Sequence, residues 1–172
     1  MYAGREWAKG PDGRSGSKLG ISALSTLLCL GAPGIAVACD FDQITVRDGD
    51  AAARFRIEVA DDPAERGQGL MFRESLPSSA GMLFIFEDPQ PVGYWMENTL
   101  IPLDMLFIGA NGTVTRLHEN AIPGDRTTIF GGNEVKYVLE INGGLSALLG
   151  IGEGAEVQHP TISQESAVFP CE

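Results

Sequence analysis

Between Ile44 and His159 the apolar residues arrive in short bursts. None is long enough at helical spacing for more than about two turns, and Gly or Pro interrupts nearly every one. Such punctuation argues against helical bundles and repeats and for a sheet of many short strands. Ile44 and Val46, then Phe55, Ile57 and Val59, alternate with Arg54, Arg56 and Glu58, which is the period-two pattern of a half-buried strand pair. Gly81-Met-Leu-Phe-Ile-Phe86, Val92 to Met96 and Leu103 to Ile108 are apolar runs of strand length and read as buried strands. Asn111-Gly112, set between Phe107-Ile108 and Thr113-Val114, predicts a hairpin. Val135, Tyr137, Leu139 and Ile141 alternate again, and Glu156 to His159 supplies a closing strand. Only two places favour helix. Asp62-Pro63-Ala64-Glu65 has a cap, a first-position proline and an acid that can reach back, but Gly67 and Gly69 cut it short, and Leu145 to Leu149 allows a turn or two. The predicted class is α+β and mainly β: a compact, mainly antiparallel β-barrel or sandwich with one or two short helices.

Residues 1–38 differ in kind. Arg5, Lys9, Arg14 and Lys18 precede the apolar run Leu19 to Leu30, and Ala36-Val37-Ala38 follows, the layout of a cleavable secretory signal cut after Ala38. The run is shorter than the roughly 20 residues a membrane span requires, so no transmembrane span is expected after cleavage. The leader before it is long, which leaves a later start codon open. The expected organisation is therefore a signal over 1–38 and one β-rich domain over 39–172, periplasmic or secreted. The signal holds four of the 12 basic residues and two of the 23 acidic ones, so residues 39–172 keep eight and 21, a net charge of −13. A surface that acidic, with Lys136 its only lysine, argues against nucleic acid, whose phosphates are bound through clustered Lys and Arg.

Cys29 falls within the signal, leaving Cys39 and Cys171 at the two ends of the remaining chain. An even pair in an oxidising compartment predicts a disulfide. The competing reading lipidates Cys39 as the first residue of a lipoprotein. Against it, Ala36 stands where such a signal carries a larger aliphatic side chain, and lipidation would leave Cys171 unpaired.

Arg66-Gly-Gln-Gly-Leu-Met-Phe-Arg73, Gly81-Met-Leu-Phe-Ile-Phe86 and Trp95-Met-Glu-Asn-Thr-Leu-Ile-Pro-Leu-Asp-Met-Leu-Phe-Ile108 form a linked set, continued by Tyr137-Val-Leu-Glu140 and Gly150-Ile-Gly-Glu-Gly154. Over about Thr45 to Val157 the chain resembles the prokaryotic family known as domain of unknown function 192. The resemblance implies a compact, largely β domain, often exported, with no established activity. The chain departs from the family where the closing turn reads Gly154-Ala155 rather than Gly-Asp.

Polar groups beside large apolar ones mark the Trp95–Ile108 stretch. Asp104 falls on one face of its strand with Leu106 and Ile108, and a carboxylate there needs partners. One reading makes it a structural clamp, paired with Arg66 or Arg73 or accepting N–H groups from Asn98 and Thr99. The other makes Trp95, Asn98, Thr99, Asp104 and Arg66 the lining of a pocket. Glu97 and Asp104 could also be imagined as the paired acids of a hydrolase, although their spacing fits no recognised arrangement. Met71, Met82, Met96 and Met105 invite a soft metal, yet core filling explains them as well. His118 and His159 lie too far apart for a zinc motif. No nucleophile elbow, phosphate loop or dinucleotide fingerprint occurs. No metal, cofactor or catalytic residue is therefore predicted. The expected function is non-catalytic binding of an unidentified small molecule or peptide near Trp95, Asn98 and Asp104. A carboxylate-based hydrolase and a structural or envelope-assembly partner are the alternatives.

The cysteine reading is open to a direct check. Intact-mass analysis of the exported protein should show a chain starting at Cys39, with no diacylglycerol adduct and no thiol alkylated before reductant is added. Either species as the main product overturns the Cys39–Cys171 pairing.

Overall fold

The alternating segment folds into β1 (Gln43–Asp48) and β2 (Ala51–Ala60), an antiparallel pair joined through Gly49-Asp50. The structure, a computed structural model, describes residues 39–171, so the expected signal lies outside the described residues. After β2 comes α1 (Pro63–Gln68). Its cap is Asp62, which accepts from the Ala64 and Glu65 amides at 2.7 and 2.9 Å. Gly69 ends it at φ 49, a left-handed conformation that glycine adopts without a Cβ penalty. The chain then enters β3 (Ala80–Tyr94), followed by β4 (Leu103–Ile108), β5 (Val114–Ala121), β6 (Ile129–Asn142), α2 (Leu145–Leu149) and β7 (Glu156–Gln158).

These seven strands make one sheet in the order β5-β4-β6-β3-β2-β1-β7. All pairings are antiparallel except β2 with β3, where the crossover through α1 returns the chain in the same direction. The run from Val92 joins Ala80–Phe86 in a single long strand, because register shifts between Ile85 and Gly93 keep it paired with β6. The sheet curls until its edges meet: Thr113 bridges Glu156, and Val114 exchanges backbone hydrogen bonds with Ala155 and Gly154. The architecture is thus a curled half-barrel, mainly β, with two short helices.

Curling divides the apolar residues between two cores. One draws on every strand, including Val46, Ile57, Leu83, Leu106, Val114, Leu139 and Val157, and fills the inside of the curl. The other covers the opposite face of the central strands, where Met82, Phe84, Met105, Phe107 and Val138 pack beneath Leu70, Met96 and Ile101. The central strands are therefore buried on both faces, which explains why every residue of Leu103–Ile108 is buried and all but Asp104 are apolar. Gly131 is required by the same packing, since a Cβ there would meet the Phe107 ring at 2.0 Å. A disulfide joins Cys39 to Cys171, with Cα atoms 5.7 Å apart, and returns the C-terminal segment to the start of β1. Beside it the buried His159 is held by Thr161 through Nδ1 and by the Phe41 carbonyl through Nε2. Burial lowers its pKa, so the ring sits there as neutral imidazole. No helix among the described residues is long and apolar enough to cross a membrane.

Asp104 lies on the inner face of β4 with no solvent exposure. Its Oδ1 accepts from the Asn120 and Gly144 amides and its Oδ2 from the Ser146 amide, each at 2.8 Å. The carboxylate is a clamp, but its donors come from β5 and the start of α2. They are neither Arg66 and Arg73 nor Asn98 and Thr99. Arg73 instead pairs with Glu58. Asp104→Asn turns an amide NH2 towards backbone donors, leaving at least one buried group unsatisfied. A loss of about 2–4 kcal/mol is expected from denaturant midpoints. Unchanged stability would rule out the clamp.

Candidate functional site

The outer face of the central strands carries a second buried acid. Val138, Glu140 and Asn142 alternate with the inward-facing Leu139 and Ile141, so Glu140 points to the face opposite Asp104. Its cross-strand neighbours are Met82 on β3 and Met105 on β4, both buried. Above it opens a cleft of about 530 Å³. Glu140 and Phe84 come from the sheet, Tyr94 and Trp95 from the end of β3, and Arg66 and Leu70 from α1 and its exit.

Local packing fixes each wall. A Cβ on Gly69 would lie 3.1 Å from the Phe84 ring, so the glycine lets the end of α1 settle against the sheet. Arg66 is thereby placed at the rim. Its Nη1 donates to the carbonyls of Asp61 and Ile85, and its guanidinium lies over the Phe86 ring at 5.3 Å. Tyr94 packs edge-on against Phe84 and Phe107, with centroids 5.2 and 6.2 Å away. Thr99 is buried in the wall, whereas Trp95 keeps 51% of its surface exposed.

Glu140 is only 4% exposed, and its carboxyl forms no hydrogen bond or ion pair with the described residues. Burial raises its pKa to about 8, so near neutral pH it is mostly the uncharged acid. Burial, with the negative field of Glu140 added, also pushes the Tyr94 phenol well above its ordinary range, while Arg66 opposes the shift. The site thus holds a neutral acid, a phenol and a rim cation within apolar walls. It can donate and accept hydrogen bonds and can acquire a buried negative charge.

Of the residues singled out from the sequence, Arg66, Trp95 and Thr99 line this cleft. Asn98 does not. It is exposed in a left-handed turn at φ 56, and its carbonyl accepts from the Phe72 amide at 2.8 Å. Asp104 is separated from the cleft by the sheet itself. Glu97, imagined as its catalytic partner, instead bonds Arg126 at 2.6 Å. Among the described residues no three or more His, Cys, Asp or Glu side chains are grouped to hold a metal. Glu140 and Tyr94 are not among the residues that the sequence pattern marks as a site. The available signal for Glu140 was an acid inside the apolar run Tyr137 to Ile141.

This fold and site define a small, half-barrel β domain with a cleft floored by a buried acid. The chain belongs to the family described as uncharacterized ACR, domain of unknown function 192, which it matches over residues 44–159. Among curated proteins none matches it. It is similar to a crystal structure of a protein of unknown function from Novosphingobium aromaticivorans DSM 12444. The two are 42% identical over 67% of this chain and 82% of that one, with a TM-score of 0.65. A Sinorhizobium meliloti 1021 structure, described as "a putative transcription regulator", is 38% identical, covering 70% of this chain and 95% of that one with a TM-score of 0.66.

The raised Glu140 pKa has a definite sign in stability. The folded state keeps its proton up to about pH 8, while the unfolded chain releases it near the ordinary glutamate value. Its contribution is therefore complete in acid and lost as pH rises towards 8, at up to ~1.4 kcal/mol per pH unit. Glu140→Gln should gain stability relative to the parent between pH 5 and 8 and hold a constant difference above that, in paired denaturation curves. A difference independent of pH would show that the carboxyl titrates normally.

Proposed function

We propose that this chain works outside the cytoplasm, in the periplasm or as a secreted protein, as a non-catalytic module that binds a small molecule or peptide segment in the Glu140 cleft. The observation that carries the reading is Glu140 itself, a buried acid without a partner among the described residues and facing an open, aromatic-walled cleft. The carboxyl has lost most of its hydration without gaining a protein partner, the desolvation that raises its pKa, and a ligand group would supply that partner. The cleft volume falls in the range of small-molecule sites, and an apolar lining with few convergent polar groups is their usual make-up. The signal-like residues 1–38 and the Cys39–Cys171 bond support an exported address. Binding is preferred to hydrolysis because Glu97 and Asp104 are engaged elsewhere. The regulatory description of the Sinorhizobium protein does not supply this chain with the basic surface that DNA contact requires.

The test is mass spectrometry under native conditions on protein taken from the compartment where it accumulates. A mass adduct is expected on the parent and should be reduced at least tenfold in Trp95→Ala and Glu140→Gln variants that keep the parent's circular dichroism. An adduct that survives both changes moves the site elsewhere. Unliganded protein, together with no response to a broad small-molecule library, removes the binding role.

A further inference from the structure

Resting on that reading, we infer that the ligand carries an alkyl ammonium group that enters the cleft to meet Glu140, with a carboxylate or carbonyl acceptor at its outer end facing Arg66. Lysine, free or as a side chain of a peptide, has this chemistry. Four observations lead to it. The floor of the cleft offers one carboxyl and no basic group: the charged or titratable groups lining it with Glu140 are Arg66, from α1, and Tyr94, from β3. The walls between floor and mouth are Leu70 and the rings of Phe84, Tyr94 and Trp95. Such walls accommodate an alkyl stem and favour a cation beside their π faces. Third, Arg66 is turned away from the floor, because its Nη1 is held by the Asp61 and Ile85 carbonyls and its plane by Phe86. Its Nε and Nη2 donate to none of the described residues, so an acceptor on the ligand can use them. Last, residues 39–172 carry a net charge of −13, a field that concentrates cations near the surface.

An ammonium ion binds the ionised acid, so its binding drives a proton off Glu140. Atoms and charge balance simply: the carboxyl proton leaves to solvent, and the carboxylate it leaves behind pairs with the incoming cation. Affinity for the amine should therefore rise with pH until the free acid is already ionised.

Isothermal titration of the full chain can decide this, using L-lysine, Nα-acetyl-L-lysine amide, cadaverine and the neutral isostere 6-hydroxynorleucine. Lysine is expected to bind about tenfold more tightly per pH unit from 6 to 8 and to level off above. The heats should differ between phosphate and Tris buffers by the ionisation of close to one proton. Glu140→Gln should weaken lysine at least tenfold at pH 8 and abolish the pH dependence, while Arg66→Gln should weaken lysine and leave cadaverine unchanged or tighter. Tighter binding of the capped amide than of free lysine assigns the group to a peptide, and the reverse order to a free amino acid. If 6-hydroxynorleucine binds as well as lysine, or no probe binds protein from which a native adduct has been stripped without loss of fold, the ammonium assignment fails and the binding role stands. If no probe binds and no adduct exists, the binding role fails with it.

Discussion

Three hydrogen bonds to one carboxylate hold the half-barrel together where its strands stop. The ladder between β4 and its neighbours ends at Leu103; just inside that end β5 bulges at Asn120, at φ 51, and β6 gives way to a turn at Gly143-Gly144. The bulge and the turn leave backbone N–H groups out of the ladder, and the first amides of α2 have no side-chain cap of their own. Asp104 supplies the missing acceptors from the middle of the sheet, reaching across to both. The glycines follow from this closeness. A Cβ on Gly143 would lie 2.9 Å from Pro102 and from the Asn120 side chain, and Gly144 sits at φ 78. A buried charge is costly alone, but one saturated by backbone dipoles instead defines where three segments meet.

Placed against that clamp, the two buried acids of the sheet show how one strand architecture separates scaffold from site. Asp104 and Glu140 lie on adjacent strands one register step apart, with Asp104 opposite Ile141 and Glu140 opposite Met105. One step along a strand reverses the face. Asp104 therefore faces the tightly filled interior, where its oxygens have backbone donors. Glu140 faces the outer core, where flexible Met82 and Met105 fill the space beside it and no described group answers it. Of the four methionines that could suggest a soft metal in the sequence, Met82 and Met105 pack beside Glu140, Met96 packs in the outer core and Met71 lines the cleft.

Much of the sheet was legible because period-two patterning, the Asn-Gly turn and the capped start at Asp62 each express a local rule. The long β3 was not, since Pro89, Pro91 and the acids before them break the pattern while bulges keep the strand paired. The clamp role of Asp104 was legible from a charge on an apolar face, but its donors were not: they lie 16, 40 and 42 residues further on. Placing Asp104 beside Trp95 failed for a related reason. Nearness in sequence put them together, and the sheet between them is a tertiary fact. Glu140 sits in a run so apolar that it reads as core, and only the cleft above it makes its burial informative.

The division of labour extends to stability. The inner core draws on all seven strands and is closed by the Thr113–Glu156 bridge and the Cys39–Cys171 bond. The outer face carries features that work against stability. Phe72, at φ 64 with most of its ring exposed, and Asn98, in the same left-handed region, meet through a backbone hydrogen bond beside the cleft. Left-handed backbone at a bulky residue is unfavourable, and so is the desolvation of an acid that gains no protein partner. That both lie on this face, and that the saturated acid lies on the other, is what a scaffold built around a binding cleft would require.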